Sequence, residues 1–511
     1  MINNKTAQTM TEIDNRFFQF LCRHPKTTIS TISKLFSLTS SEMTQFKDIL
    51  NWDLISRNES INWNNEIIEN SKENINWEVL SLNTKLPWSQ DLIKQFEQYW
   101  DFGRLNYSKG LNTNPAIPWS KEILHEYKDI WNWSILSDCD YLPWNYELIK
   151  TFEDRWSWYS LCTNESIPWQ PDFIDKFHDK VNWEGICSNS SFPWTEDLVD
   201  KYWTNIDWKS LATNKGFPWT EEFVLSIIIL KVDNKEDSFL KELCENRSLP
   251  WTKKITQTFI NRIKNITRSS NSVYSIRPDY LVTALSMNES LPWSIELIKK
   301  NETFWSWGYR GLSTNRALHW SLELIDMFKD KWSWKFISGY NSAIPYNLEI
   351  IENFKDYWDW SLEGMTTNEH LPWSMELVEK YSDKWEWRKR FTSFNMCDNM
   401  NIPWTIHLVE RHKKKINFKS LSASTKLDWD IDFVRKYKNR LSWSSVYNQG
   451  LSSNPSIPWS KDFILEFESD LDVSDFISDY NMIAHKEIHP FILEVGVIDI
   501  LKKLKTAANK T

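Results

Sequence analysis

Two stretches of the chain group enough positive charge to hold a phosphate or an acidic partner. Residues 388–440 carry thirteen bases and five acids, in the runs Arg388, Lys389 and Arg390, then Arg411, Lys413, Lys414 and Lys415, then Arg435, Lys436, Lys438 and Arg440. Lys253, Lys254, Arg262, Lys264, Arg268 and Arg277 follow one another between residues 253 and 277 with no acid among them. Such cations form a binding surface when successive elements present them together. Otherwise they are the solvated face of a helix, or partners of its C-terminal carbonyls. Residues 138–222 are the reverse, with sixteen acids and seven bases. The net charge of -9 argues against wholesale coating of nucleic acid and leaves local patches open.

Bond-breaking chemistry has less to work with. His485 and His489 in HKEIH stand at i and i+4, but the metallohydrolase order H-E-x-x-H is absent and Pro490 follows. The six cysteines form no C-x-x-C pair. Cys162, Cys187, Cys244 and Cys397 each precede a Pro-Trp tryptophan by seven residues, where other copies have Ser81, Ser137 or Ala212. That row asks for a small side chain, and free cysteine behaves as one. Carboxylates recur three residues after the same tryptophans, from Glu66 and Asp91 to Asp432 and Asp462. So many equivalent copies are not a catalytic pair. Ten glycines in all leave no phosphate-cradling loop. The expectation is a non-enzymatic chain with no cofactor and no metal site.

The elements that position these residues come from a repeat. Trp119, Trp144, Trp169, Trp194 and Trp219 lie 25 residues apart. The frame extends back through Trp88 and Trp63, and forward through Trp251, Trp293, Trp320, Tyr346, Trp373, Trp404, Trp429 and Trp459 at wider spacings. This makes about fifteen copies of W-x-W-x-x-L-S-x-N-x-x-L-P-W-S-x-E-L-I-x-x-F over residues 51–475. After the Pro-Trp tryptophan comes a helix-capping residue, as at Ser89, Ser120, Asn145, Thr195 and Ser294. Gln170 departs from this, but Pro171 suits a first helical turn. Leu92, Ile93, Phe96 and Trp100 then mark one face of a helix about eleven residues long. Asn132, Ser157 or Ser333 between the paired tryptophans caps a second, shorter helix such as 158–162. Asn recurs where that helix ends, as at Asn164, Asn189 and Asn214, a residue tolerant of the left-handed cap conformation and able to align into an amide ladder.

All the tryptophans except Trp203 occupy three repeat positions. Val181, Ile206, Ile416 or Leu441 replace Trp156 at the first, and Phe102 or Phe418 replace Trp158 at the second. Positions that exchange indole for aliphatic side chains want volume and dryness, so the indoles read as core. Each buried one removes roughly 200 Å² from water, worth about 5 kcal/mol gross.

This unit resembles the tryptophan-rich tandem repeats of uncharacterised bacterial and large-DNA-virus proteins, over about four-fifths of the chain. The resemblance implies a repeat fold and brings no activity or catalytic residue.

The resulting expectation is an all-α fold: an elongated α-solenoid of about fifteen short helix-turn-helix repeats, monomeric or weakly self-associating. A helical cap spans residues 1–50, an irregular insert residues 252–285, and a helical cap and tail residues 476–511. TISTISKLFSLTSSEMTQF within the first cap resembles a DNA-binding helix-turn-helix, but Ser41, Glu42, Thr44, Gln45 and Lys47 are weak material for phosphate contact. MINNKTAQTM lacks an apolar signal core, and FVLSIIILKV from Phe223 is too short for a bilayer, so a cytoplasmic, non-membrane setting is expected. The function expected is a scaffold gripping a protein partner through the solenoid face and the basic 388–440 units. The alternative is nucleic-acid binding through the same stretch and the 253–277 insert.

Overall fold

The computed structural model describes residues 11–103, 109–230, 237–269, 278–388, 395–444, 450–473 and 490–508. Among them the regular structure is helical, with one isolated β-bridge between Arg388 and Asn395. No described helix is long and apolar enough to cross a membrane. The chain forms two compact units. One joins Met1–Pro118 to Trp373–Thr511, and the other is Trp119–Pro372.

Capping sets the start of each helix. Ser89, Ser120, Asn145, Thr195, Ser294 and Ser374 each accept the backbone N–H three residues on, and helices of six residues follow. Asn76, Asn132, Ser157 and Asn182 do the same for the second helices, the ones expected to be shorter, of four to six residues. Gln170 supplies no cap, and Pro171 lies in a turn ahead of a four-residue helix, Phe173–Lys176, rather than in its first turn.

The longer helix is shorter than its apolar pattern suggests. Gln90–Gln95 stops at Phe96 and continues as turn to residue 99. The next tryptophan takes up a carbonyl that the stop leaves open. The Trp100 indole N–H donates to the Ile93 carbonyl, which Glu97 would take in a continuing helix. Trp156 to Ile149, Trp332 to Ile325, Trp358 to Ile351 and Trp385 to Val378 repeat the arrangement, each at 3.1 Å.

The other two tryptophan rows also have recurrent acceptors. Most Pro-Trp indoles donate to the carbonyl of the asparagine five residues earlier, as Trp169 to Asn164 at 3.0 Å and Trp293 to Asn288 at 2.9 Å, while Trp194 reaches the Ile186 carbonyl at 3.1 Å. Second-position indoles donate to the last turn of the preceding helix, as Trp158 to Glu153 at 3.0 Å. None of the 33 tryptophans is exposed. Trp156 sits between Trp144, with ring centroids 5.0 Å apart, and Trp133, edge-on at 4.8 Å. Trp332 is held in the same way by Trp320 and Trp307.

Two polar rows join one copy to the next. The Ser137 hydroxyl donates to the Trp133 carbonyl and accepts the N–H of Ser157 at 2.9 Å. Ser56, Ser81, Ser286, Ser313 and Ser422 accept the equivalent N–H from their own successors. The asparagines form a ladder, in which Asn189 Nδ2 donates to the carbonyls of Cys162 and Asn164, and Asn214 Nδ2 to those of Cys187 and Asn189. Their backbone is extended, with φ -70° at Asn189 and -68° at Asn214. The left-handed cap expected of them does not form, because the side chain must reach back across the layer.

In the first unit, helices Glu12–Arg23, Pro25–Leu35 and Ser40–Phe46 pack against the C-terminal helix Val497–Ala508, and the first of them also against Lys461–Glu466. Pro25 opens its helix, and Glu42 closes a capping box with Thr39 rather than facing solvent as a recognition residue. Phe17 meets Phe491 edge-on at 5.0 Å. Arg23 grips Glu468 with two bonds of 2.8 and 2.6 Å, Lys461 meets Asp14 at 2.5 Å, and Lys505 donates to the Gln45 carbonyl at 2.6 Å.

Candidate functional site

The basic 388–440 residues are brought together, largely to bond their own neighbours. Arg435 lies across Glu466, with bonds of 2.5 and 2.7 Å, and also meets Asp432 at 2.8 Å. Lys436 reaches Glu410 at 2.5 Å and Lys438 reaches Asp470 at 2.8 Å. Arg411 is 3.4 Å from Glu379, and Lys413 is 3.7 Å from Glu410. Lys415 donates to the Ser382 carbonyl at 3.2 Å and lies 5.4 Å over the Trp387 ring.

Two guanidiniums bind backbone instead of acids. Arg388 donates to the carbonyls of Lys415 and Ile416. Arg440 donates to the Lys413 carbonyl at 3.2 Å and stacks 3.9 Å from the Phe418 centroid. Lys414 is exposed with no such partner among the described residues. Lys389 and Arg390 lie outside the described residues.

The pairing leaves its mark on proton affinity. The hydrogen bond from Lys436, then that from Tyr437, holds the Glu410 carboxyl below its usual range. Arg435 does the same to Glu466. A cavity of about 380 Å³ in this stretch is bordered by Cys397, Asp398, Ser420, Thr425 and Ser453, and no cation lines it.

The insert forms a seventeen-residue helix, Lys253–Ser269. Lys253 and Lys254 are exposed at its start, and Lys254 is 3.3 Å from Glu221. Arg262 is half-buried, and Lys264 lies 5.6 Å over the Phe304 ring. Arg268 is in the helix but its side chain is not among those described, and Arg277 lies outside the described residues, as do His485 and His489. The insert cations belong to one compact unit and those of 388–440 to the other.

Among the described residues no group of three or more His, Cys, Asp or Glu side chains is placed to hold a metal. Burial pushes the Cys162, Cys187 and Cys397 thiols up to about 12 and Cys139 to about 11, so these are poor nucleophiles. The first three also accept the backbone N–H twenty residues on, the role Ser137 plays in its copy. The row is therefore a hydrogen-bonding position as well as a small one. Serine and cysteine alternating at a fixed spacing was the available signal.

Surface features that the charge pattern does not mark lie on the shorter helices or the turns beside them. Tyr159, Tyr280, Tyr309 and Tyr340 are each more than half exposed, at 51–55%. Among the described residues, five copies open that helix. Those ending at Trp119, Trp320, Trp373, Trp404 and Trp459 replace it with a single 3-10 turn, such as Leu312–Thr314 or Met365–Thr367. The added residues precede that turn, and Arg388 to Asn395 brackets one such addition.

No family model, curated protein or solved structure matches the chain. What the coordinates define is an all-helical, tryptophan-rich protein whose recurrent polar side chains bond copy to copy.

Proposed function

We propose that this chain is a non-catalytic α-solenoid scaffold, of the tryptophan-rich tandem-repeat kind, that binds a partner protein. The observation that carries the reading is where the recurrent chemistry is spent. Asparagine, serine and cysteine bond to a neighbouring copy and the tryptophans are turned inward, so what varies from copy to copy is the outward face of the shorter helices. Repeat proteins bind through such a face, because stacked copies present it continuously.

The nucleic-acid alternative draws on the same cations, but most of those in 388–440 already face a carboxylate or a carbonyl. Phosphate would have to displace these bonds. Among the described residues, Lys414 and Lys253 remain for it.

Affinity capture with mass spectrometry, with and without nuclease, separates the readings. The scaffold reading expects a protein retained after nuclease treatment, with a modest salt dependence. A nuclease-sensitive complex, whose slope of log affinity against log salt flattens in Lys414→Gln, would point to nucleic acid instead.

A further inference from the structure

We infer that the shorter-helix face around Tyr280 and Arg310 is a docking groove for an acidic, apolar-flanked peptide segment of a partner protein. The inference rests on the scaffold reading and gives its partner a chemistry.

The groove arises where the repeat is stretched, between Trp219 and Trp293. The shorter helices there are Asp237–Glu245 and Pro278–Met287, of nine and ten residues, against six in Trp158–Thr163, Trp183–Ser188 and Trp208–Thr213. The extra length carries Tyr280 out of the layer to 52% exposure, and Met287 is 40% exposed. Both border a cavity of about 390 Å³, with Lys241, Glu245, Arg247 and Arg310.

Its charges are not equivalent. Lys241 is held by Glu245 at 2.9 Å and Arg247 by Glu289 at 2.7 Å. Arg310 is exposed and has no partner among the described residues. An uncommitted guanidinium beside apolar walls calls for a planar anion, and a carboxylate fits its two-pronged geometry. The next residue back, Tyr309, is 55% exposed and begins an aromatic trio, 5.0 Å from Phe336 and 6.3 Å from Tyr340. Exposed aromatics gathered around arginine are the composition of protein-binding hot spots. A nucleic-acid strand would instead need a series of free cations, and among the described residues this face offers one.

The test uses the full chain and a phage-displayed library of random twelve-residue peptides. Enriched peptides should place Asp or Glu beside an aromatic or large aliphatic residue. Fluorescence polarisation of an enriched peptide should weaken by about tenfold or more in Arg310→Glu and in Tyr280→Ala, as loss of a hot-spot side chain does. Arg310→Lys should lose less, and Lys121→Glu, in a distant copy, should lose nothing. Both groove positions are exposed, so unchanged melting of each variant shows that binding and not folding was altered. Peptides bound equally well by Arg310→Glu would overturn the groove and leave the scaffold reading standing. Failure of any peptide to enrich would also overturn it, while the capture experiment above judges the scaffold separately. Oligothymidylate displacing the peptide with the same Arg310 dependence would mean that the ligand class is wrong.

Discussion

At the residue scale, the repeat is held by side chains that each do two jobs. Asn189 donates Nδ2 to two carbonyls of the preceding copy, and its Oδ1 accepts the Ser191 N–H at 2.8 Å. It is 2% exposed, so these groups have no water to fall back on. Asn189→Ala should lower unfolding free energy by about 1–3 kcal/mol, the cost of stranding buried polar groups. Asn189→Asp should cost at least as much. It keeps an acceptor for Ser191 but sets a carboxylate against two carbonyl oxygens. Denaturant titration of both variants checks this, and an aspartate variant as stable as the parent would refute the ladder. The indoles follow the same logic. Exchange with valine or leucine shows that the first-position indole is read for its bulk, yet the N–H of Trp100, Trp156 or Trp332 also satisfies a carbonyl at a helix end.

At the element scale, helix length is set by what terminates the helix. Apolar spacing from Leu92 to Trp100 reads as one long helix because turn residues 96–99 keep the same face inward. The chain bends out of the helix after six residues whether Trp100, Ile206 or Ile416 follows, and a one-dimensional period cannot register that bend. The opened copies show a second constraint. A Cβ on Gly311 would stand 2.2 Å from the Ser306 carbonyl oxygen, where the added residues double back on the backbone. Gly311→Ala should therefore destabilise by about 1–3 kcal/mol, as overpacking does. The Leu312–Thr314 turn should exchange its amides faster, and the six-residue helix Trp158–Thr163 should be unaffected. Hydrogen exchange followed by mass spectrometry resolves the two segments.

At the scale of the whole molecule, the first helices and the last copy share one compact unit, and its ion pairs make their association sensitive to acid. Lys461, then Thr11, holds the Asp14 carboxyl below its usual value of 3.8, and Arg23 holds Glu468 below 4.5. Both folded-state values lie below the unfolded ones. The stabilisation is therefore complete above about pH 4.5 and is lost as pH falls through the folded-state values. After correction for intrinsic rates, amides of residues 12–23 should lose protection between pH 6 and pH 3. Arg23→Glu should reproduce part of that loss at pH 6. Equal protection at both pH values in the parent would show that apolar packing, such as Phe17 against Phe491, holds the contact alone.

Much of this could be read along the chain. Capping residues at Ser89, Asn145 or Ser294, the dry tryptophan rows and the prospect of an amide ladder all follow from local chemistry repeated at a fixed spacing. Covalent neighbours suffice to define a cap or an apolar face, and repetition shows which positions are constrained. The partners of the cations could not be read in this way. Arg435 looks like a binding residue until Glu466, thirty-one positions on, is seen across it, and Arg310 looks unremarkable until the groove leaves it bare. Pairing depends on which copies touch and how their side chains meet, and that is a property of distances in space.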